Sequence, residues 1–300
     1  MFEVKDLKKN YKTDFWTKPV EVLKGISFKV GRGEIVGFLG ANGAGKTTTI
    51  KMMMGFTSVE QGSISFFEQS KFKKEAHRIG YLPERPYFYP HLTGMEMVRY
   101  MGSLCNLSPD QISQGIDKYA KRLRIDHALS RKINGYSKGM LQRLGVLCTI
   151  LHDPDLIILD EPLSGLDPRG RKDIKDLLVE LNNEGKTIFF SSHIVSDVEE
   201  VCEKVVVLDF GEIVYQGDID ELIQSKTDAI YLAITNSKSN KLQDLARIIS
   251  EKDAMVTYSI DSHKKNEFIK IAISEGIEIM ALHKDTPTLE EIVYKTGGEI

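Results

Sequence analysis

One segment, GFLGANGAGKTTTI at residues 37–50, limits what this chain can fold into more than any other feature. Residues 34–39 are mostly apolar, and apolar residues recur at helical spacing after the segment's glycines, so the pattern predicts a strand, a tight turn and a helix. Glycines allow positive φ angles and close backbone approach, and the N–H groups at a helix N-terminus attract anions. The spacing Gly40-x-x-x-x-Gly45-Lys46-Thr47 is typical of a loop that binds nucleotide phosphates.

Two side chains of this phosphate loop have predicted roles of their own. Lys46 is expected to reach the β- and γ-phosphates, and the Thr47 hydroxyl is expected to be a ligand of Mg²⁺. The residues predicted to bind the nucleotide are Gly40, Asn42, Gly43, Ala44, Gly45, Lys46, Thr47 and Thr48. The loop alone does not distinguish a kinase, a GTPase, a helicase and a transporter ATPase.

Composition narrows the class of protein. The 300 residues carry a net charge of -3, which gives no general attraction to nucleic acid, so we expect no nucleic-acid partner. No apolar run approaches the roughly 18–20 residues that span a bilayer, and no signal peptide begins the sequence, so we expect a cytosolic chain. Cys105, Cys148 and Cys202 have no metal-site spacing and lie in apolar helical patterns, which predicts buried free thiols.

The order of predicted elements indicates an α/β fold. Strand patterns fill the first forty residues, and helical patterns fill a subdomain at about 84–151. Strands that alternate with helices imply a largely parallel sheet in a main domain over 1–225. A small α+β accessory domain is predicted over 226–300. Its alternating strands and helices are expected at 230–234, 241–249, 255–260, 266–273, 277–282 and 288–294.

A second motif pairs two carboxylates with a short apolar strand. Residues 156–159 read Leu-Ile-Ile-Leu, and Asp160 and Glu161 follow directly. Burying two carboxylates at a strand end is costly unless cationic partners lie there, and Mg²⁺ with a nucleotide is such a partner. We therefore predict that Asp160 holds the metal and that Glu161 orients and deprotonates the attacking water. An exposed acidic turn is the alternative reading of the two residues.

A third motif reads Tyr-Ser-Lys-Gly-Met-Leu-Gln-Arg at residues 136–143. Ser137 is a favourable N-cap, and leucines continue at helical spacing after it. The segment is either an ordinary capped helix or a second phosphate site, in which Ser137 and Gly139 approach an anion at a positive helix end. Geometry decides between these two readings, and one chain need not bring this segment to its own phosphate loop.

Taken together, the three motifs resemble those of the ATP-binding cassette (ABC) transporter ATPases, in the family's order. Residues 164–167 resemble the D-loop of that family, and His193, which follows a strand ending in two serines, resembles its switch histidine. Tyr11 resembles the aromatic residue that stacks on adenine, although Phe15 or Trp16 could serve instead. The resemblance covers about residues 1–225.

The resemblance implies a P-loop NTPase fold of the ABC cassette type, with ATP as the nucleotide. It further implies that two copies of the cassette pair head to tail, so that each ATP lies between the phosphate loop of one copy and the Ser137 segment of the other. His193 would then sense the γ-phosphate. Closure on ATP and release after hydrolysis would follow from electrostatic clamping of that phosphate.

Two departures from the family pattern affect these expectations. The usual signature is Leu-Ser-Gly-Gly-Gln, whereas Tyr136, Lys138 and Met140 stand at three of its positions here. Met140 cannot supply the amide of the glutamine, while Lys138 adds positive charge near the phosphate. Glu84 stands where the family has a glutamine, and we predict it to be a metal ligand together with Thr47 and Asp160.

The Glu84 variant and residues 87–94 resemble one group within the family, the cassettes of drug, polysaccharide and lipid exporters (type-2 exporters). That resemblance implies a separate multi-span membrane subunit and a location at the cytoplasmic face of the membrane. Tyr87, Phe88 and Tyr89 either line a docking groove or pack the helical subdomain. The rival class is a soluble ABC-type regulator or a ribosome-associated ATPase. Neither the cargo nor the role of the accessory domain follows from the sequence.

Overall fold

A computed structural model of the chain describes residues 1–11, 19–67, 72–226, 230–252, 255–284 and 289. The chain divides into two compact units, Met1–Ile219 and Asp220–Ile300. All three sequence motifs lie in the first unit. Within the described residues, no helix has both the length and the apolar character needed to cross a bilayer.

The first unit contains two sheets. A three-stranded antiparallel sheet has the order β2-β1-β4, and a six-stranded sheet has the order β5-β6-β7-β3-β8-β9. Every neighbouring pair in the larger sheet is parallel except β8 with β9. The strands are β1 Phe2–Tyr11, β2 Val20–Val30, β3 Ile35–Leu39, β4 Gln61–Phe66, β5 Ile79–Leu82, β6 Leu156–Leu159, β7 Thr187–Ser192, β8 Lys204–Asp209 and β9 Glu212–Asp218.

Aromatic side chains from both sheets form the centre of the core. Phe2 and Phe28 come from the antiparallel sheet, and Phe38 and Phe189 come from the parallel sheet. Phe28 stacks on Phe38 and on Phe189 with ring centroids 5.5 and 5.7 Å apart. The apolar strand β6 is buried on both faces, as expected of a central parallel strand.

Several of the helices begin at the capping residues that the sequence predicts. Thr93 and Ser108 each form a complete capping box, and Asp167 caps a helix that starts with proline. The region 84–151, which the structure describes throughout, contains three helices and short 3-10 turns joined by loops, and no strand apart from one isolated bridge. The helices are α1 Lys46–Met53, α2 Phe72–Glu75, α3 Gly94–Leu104, α4 Pro109–Tyr119, α5 Lys138–Ile150, α6 Pro168–Asn183, α7 Val195–Glu199 and α8 Ile219–Lys226. Single 3-10 turns lie at Ala76–Arg78, Asp126–Ala128 and Ile133–Gly135.

The second unit has an antiparallel sheet with the order β11-β12-β10-β13. Its core joins strand residues such as Tyr258 to Leu242 and Phe268 of the two helices. The elements are β10 Ile230–Thr235, α9 Asn240–Gln243, β11 Ala246–Lys252, β12 Met255–Asp261, α10 Lys265–Ser274 and β13 Ile279–Lys284. A 3-10 turn at Ser262–Lys264 precedes α10.

The helix predicted at 241–249 is wrong in its second half. A helix is formed only over Asn240–Gln243, and Ala246–Lys252 is the strand β11, paired with β12. Pairing with the neighbouring strand overrides the local helical pattern, and Ala246 and Ile248 face the core while Arg247 is exposed. Of the helix predicted at 288–294, only residue 289 lies within the described residues.

The prediction that the cysteines are buried free thiols is confirmed for two residues and wrong for one. Cys148 and Cys202 are buried free thiols, whereas Cys105 is exposed. Cys105 is the C-cap residue, directly after the last residue of α3. Cys202 lies after α7 and outside any helix.

Candidate nucleotide site

The predicted site residues converge because three parallel strands end at one edge of the larger sheet. β3, β6 and β7 are neighbours, and they lead into the phosphate loop, into Asp160 and Glu161, and into His193. Carboxyl ends of parallel strands place the following loops side by side, which is where α/β sheets bind ligands. A cleft of about 450 Å³ lies at this edge.

Residues from every motif except the Ser137 segment line this cleft. They are Val22, Ala41, Asn42, Gly43, Gly45, Lys46, Thr47, Thr48, Glu84, Glu161, Ser164 and His193. Gly40 and Ala44 belong to the loop but do not line the cleft. Gly40 instead lies against the backbone, since a Cβ there would be 2.4 Å from the carbonyl oxygen of Leu208. Gly45 has φ +115°, which only glycine adopts without strain.

Lys46 is the buried cation of the cleft. Its side chain is 6% exposed, and Nζ donates to the carbonyl oxygens of Gly40 and Ala41 at 2.7 and 3.3 Å. Oε1 of Glu161 lies 3.5 Å from the same nitrogen. The carbonyl groups of the loop thus hold the ammonium group of Lys46 beside the carboxylate of Glu161, which follows β6.

Glu161 is held by contacts on both sides. Its backbone has φ +50°, a left-handed conformation that costs free energy in a residue other than glycine. Its N–H donates to Oγ of Ser191 at 2.9 Å, and Oε2 lies 2.9 Å from Nδ1 of His193. The carboxylate therefore bridges Lys46 and His193, with 12% of its side chain exposed.

Asp160 is fully buried beside this bridge. Oδ1 accepts a hydrogen bond from Oγ of Ser191 at 2.6 Å, whereas Oδ2 has no hydrogen-bond partner within the described part of the chain. Burial raises the pKa of this carboxyl, the Ser191 and Thr47 hydroxyls oppose that shift, and the charge of Glu84 adds to it. An unpaired buried oxygen near Thr47 and Glu84 fits a divalent cation.

The described residues contain no group of three or more histidine, cysteine, aspartate or glutamate side chains that could hold a metal ion by themselves. Mg²⁺ in nucleotide sites characteristically takes one or two carboxylates together with phosphate oxygens and water. The donor set of Asp160, Thr47 and Glu84 is of this kind. Glu84 is the most open of the three residues, since nearly half of its side chain is exposed.

The structure places Tyr11 outside the residues that line the cleft. It ends β1 with 39% exposure, and Nζ of Lys9 lies 5.3 Å from the centroid of its ring. Tyr11 pairs with Val20, which shares a face of β2 with Val22, a residue of the cleft. Phe15 and Trp16 lie outside the described residues.

Ser137 and Gly139 also lie apart from the cleft of their own chain. Ser137 caps α5 by accepting from the N–H of Met140, and Gly139 lies against Leu166. Nζ of Lys138 donates to Oγ of Ser164 at 3.2 Å, so the third motif contacts the turn that follows Glu161. Capping confirms the local prediction for Ser137 without bringing it to the phosphate loop.

Sequence reasoning missed two polar residues that support Glu161 and Asp160. Ser191 joins both residues, and the buried Gln142 donates from Nε2 to the carbonyl oxygens of Pro162 and Glu161 at 3.0 and 3.3 Å. The sequence does show that the apolar strand β7 ends in two serines, and this is the signal that could have identified Ser191. Gln142 looked like any polar residue of an apolar helix, so only packing reveals its role.

A second, apolar groove of about 570 Å³ is lined by β5, α3, α5 and the segment after Glu84. Tyr87 and Phe88 line it, Tyr87 with 83% exposure and Phe88 almost buried. Tyr89 does not line the groove and packs against His91 and Tyr100. Two of the three aromatic residues therefore line the groove, and the third packs within the helical subdomain.

The fold and the cleft define the chain as a P-loop nucleoside triphosphatase, with a phosphate loop, a buried strand-end aspartate and an adjoining glutamate. The family model for ABC transporters matches residues 23–164. An uncharacterized ABC transporter ATP-binding protein of Bacillus subtilis, YxlF, is 33% identical over 300 residues, which cover 98% of this chain and 99% of the relative. The chain belongs to the ABC transporter ATP-binding proteins and is an ATPase that binds ATP.

Other comparisons agree with this assignment. The bacitracin transport ATP-binding protein BcrA of Bacillus licheniformis is 31% identical over 284 residues, 91% of each chain. The solved structure of cbiO1 from Clostridium perfringens, described as part of the ABC transporter complex cbiONQ, is 29% identical with a TM-score of 0.62. It covers 75% of this chain and 91% of the known one.

Proposed function

We propose that this ATPase drives export through a separate multi-span membrane subunit, by closing and opening a head-to-tail dimer of the cassette. The observation that carries the dimer is the position of Ser137 and Gly139. Both residues lie outside the cleft that contains Lys46, so a nucleotide there is open to a second molecule's segment. The N-terminus of α5 then supplies N–H groups and the Ser137 hydroxyl to the γ-phosphate in trans.

The mechanism assigns roles to residues in the cleft and to the adjoining Asp160. Lys46 leaves Glu161 to bind the β- and γ-phosphates of ATP, because phosphate is the stronger anion. Glu161 is thereby released to accept the proton of the attacking water, and His193 holds the carboxylate and contacts the γ-phosphate. Mg²⁺ supplies charge neutralisation on the phosphates when bound, and Asp160, Thr47 and Glu84 would hold it.

The apolar groove supports the membrane partner. Pro83 and Pro86, on either side of Glu84 in the chain, line the groove, and Glu84 itself lines the nucleotide cleft, so a segment seated in the groove would contact the loop that carries Glu84. Tyr87 offers a large exposed ring of the kind that anchors protein interfaces. The relative whose printed name concerns bacitracin transport supports a role in transport. Export as the direction, and a location at the cytoplasmic face of the membrane, are proposed from the resemblance to the type-2 exporters.

The dimer is tested with Glu161→Gln in the full chain. We expect this variant to bind ATP, to hydrolyse it at least about 100-fold more slowly, and to sediment as a dimer with ATP but as a monomer with ADP. ADP is the matched control because it lacks the γ-phosphate that the two copies share. A Glu161→Gln protein that stays monomeric at saturating ATP would refute the head-to-tail arrangement.

The membrane partner is tested by co-purification of the tagged chain from detergent extracts. Tyr87→Asp places a charge in the groove, whereas Phe210→Asp places one on an equally exposed aromatic position outside it. We expect a multi-span membrane protein to co-purify with the wild type and with Phe210→Asp, and to be lost with Tyr87→Asp. Recovery of ribosomes instead would favour a soluble ABC-type ATPase.

A further inference from the structure

A buried ion pair joins the helices that follow the two loops beside Glu161. Asp197 lies in α7, the helix after His193, and its side chain is 3% exposed. Arg171 lies in α6, the helix after Ser164 and Gly165, and its Nη2 donates to Oδ2 of Asp197. A carboxylate this deeply buried requires its cationic partner, because an unpaired charge in such surroundings is strongly destabilising.

The same pair closes one side of a small cavity at the site. This cavity has a volume of about 130 Å³, and its lining includes Glu161, Ser164, Gly165, His193, Arg171 and Asp197. Arg171 therefore lies at the junction of the Ser164 turn, the catalytic carboxylate and the histidine segment. Arg171 is thus close to the catalytic residues, but it does not line the nucleotide cleft itself.

Asp197 has a second cationic partner that provides an internal comparison. Nζ of Lys175, also in α6, lies 3.6 Å from Oδ1 of Asp197 and pairs with Glu200 as well. Lys175 and Arg171 both line a charged cleft between α6 and α7, but only Arg171 also lines the small cavity. Arg171 and Lys175 thus share one carboxylate and one helix but differ in their contact with the catalytic loops.

We propose that Arg171 is a positioning residue for ATP hydrolysis, which holds the His193 segment against the Ser164 turn through its ion pair with Asp197. This inference rests on the roles proposed for Glu161 and His193. The ion pair keeps Nδ1 of His193 within reach of Oε2 of Glu161, a separation of 2.9 Å. A displacement of the Ser164 turn is then passed through α6 and Arg171 to α7, and so to the histidine.

The test compares Arg171→Gln with the matched variant Lys175→Gln in the full chain. Each removes one of the two cations on Asp197, so a purely structural role predicts similar losses of thermal stability and activity. We expect Arg171→Gln to lower kcat by about tenfold with nearly unchanged KM and ATP affinity, since the phosphate loop is untouched. Lys175→Gln is expected to keep kcat within about twofold of wild type, and Arg171→Lys to restore most of the lost kcat.

The outcomes separate this inference from the proposed roles of the site. Glu161→Gln and His193→Ala serve as references; undiminished turnover in both would overturn those roles and the inference with them. If the references lose activity but Arg171→Gln keeps wild-type kcat, or loses no more than Lys175→Gln, only the positioning role is refuted. Should Arg171→Gln fail to fold, the double variant Arg171→Gln with Asp197→Asn replaces it, because it leaves no unpaired buried charge at position 197, and a wild-type kcat in that variant would refute the positioning role.

Discussion

The side chain of Asp160 is fully buried, and one carboxylate oxygen has no hydrogen-bond donor among the described residues. Burial raises its pKa above the ordinary value of 3.8, so the folded chain binds a proton more tightly there than the unfolded chain does. Its contribution to stability is therefore present below pH 3.8 and is lost as the pH rises through the higher folded value. At neutral pH this ionised carboxylate destabilises the nucleotide-free chain.

Asp160→Asn should consequently stabilise the chain while it impairs the site. We expect an increase of about 1 kcal/mol in the free energy of unfolding at pH 7, because the buried unpaired charge is removed. The increase should shrink as the pH falls towards 3.8. Denaturant titrations at several pH values measure this, and Mg²⁺-dependent ATP binding should weaken in the same variant. A lower stability at pH 7 would contradict the assignment of the unpaired oxygen.

Lys46→Ala should weaken ATP binding. The lysine is the buried cation of the cleft, and charged hydrogen bonds contribute about 1.5–3 kcal/mol each, so we expect a Kd about 10- to 100-fold higher. Fluorescent-nucleotide titration measures it, with Lys51→Ala, an exposed lysine of the same helix, as the control. Equal Kd values for Lys46→Ala and wild type would remove Lys46 from the site.

At the residue scale, the sequence predicts those site residues whose positions follow from their neighbours in the chain. The phosphate loop, Asp160, Glu161 and His193 follow strand ends, so their convergence is implied by a parallel sheet. Ser191, Gln142 and Arg171 act through partners distant in sequence, and no spacing rule connects Arg171 to Asp197. Tyr11 does not line the cleft. Its position likewise depends on the register of β1 and β2, which the residue type does not predict.

At the scale of elements, Ser137 has one observed role, as a helix cap, and one proposed role, as a phosphate ligand in trans. It caps α5 as Ser108 caps α4, each by accepting from a backbone N–H of the first helical turn. We expect Ser137→Ala and Ser108→Ala each to lower stability by about 1 kcal/mol, which thermal melts report. Only Ser137→Ala should also lower ATP-driven dimer formation and kcat, because only that hydroxyl is proposed to contact phosphate in trans. Equal activity in the two variants would leave Ser137 as a cap alone.

Elements were predictable where a cap or a fully buried run defines them. Thr93, Ser108, Ser137 and Asp167 each mark a helix start that the structure contains. The strand β11 was not predictable in the same way, because residues 241–249 have helical spacing and only pairing with β12 makes 246–252 extended. Apolar periodicity over so short a segment does not reveal which neighbour the chain pairs with.

At the scale of the whole molecule, every residue assigned to the nucleotide site lies in the unit Met1–Ile219. A chain that ends after Lys226, at the end of α8, should therefore fold and bind ATP with a Kd within about threefold of the full chain. Calorimetry and nucleotide titration on the two chains measure this. Loss of cooperative melting, or of ATP binding, in the shortened chain would show that the second unit is required for the first.

The unequal burial of the three thiols has a practical consequence. Cys148 and Cys202 are buried, and burial raises the pKa of Cys148 to about 12, so neither reacts readily with a maleimide. Cys105 is exposed and lies on the rim of the apolar groove beside Phe88 and Met101. An environment-sensitive dye attached there, without any engineered substitution, would give an optical test of whether the groove is occupied by a membrane subunit, as proposed above.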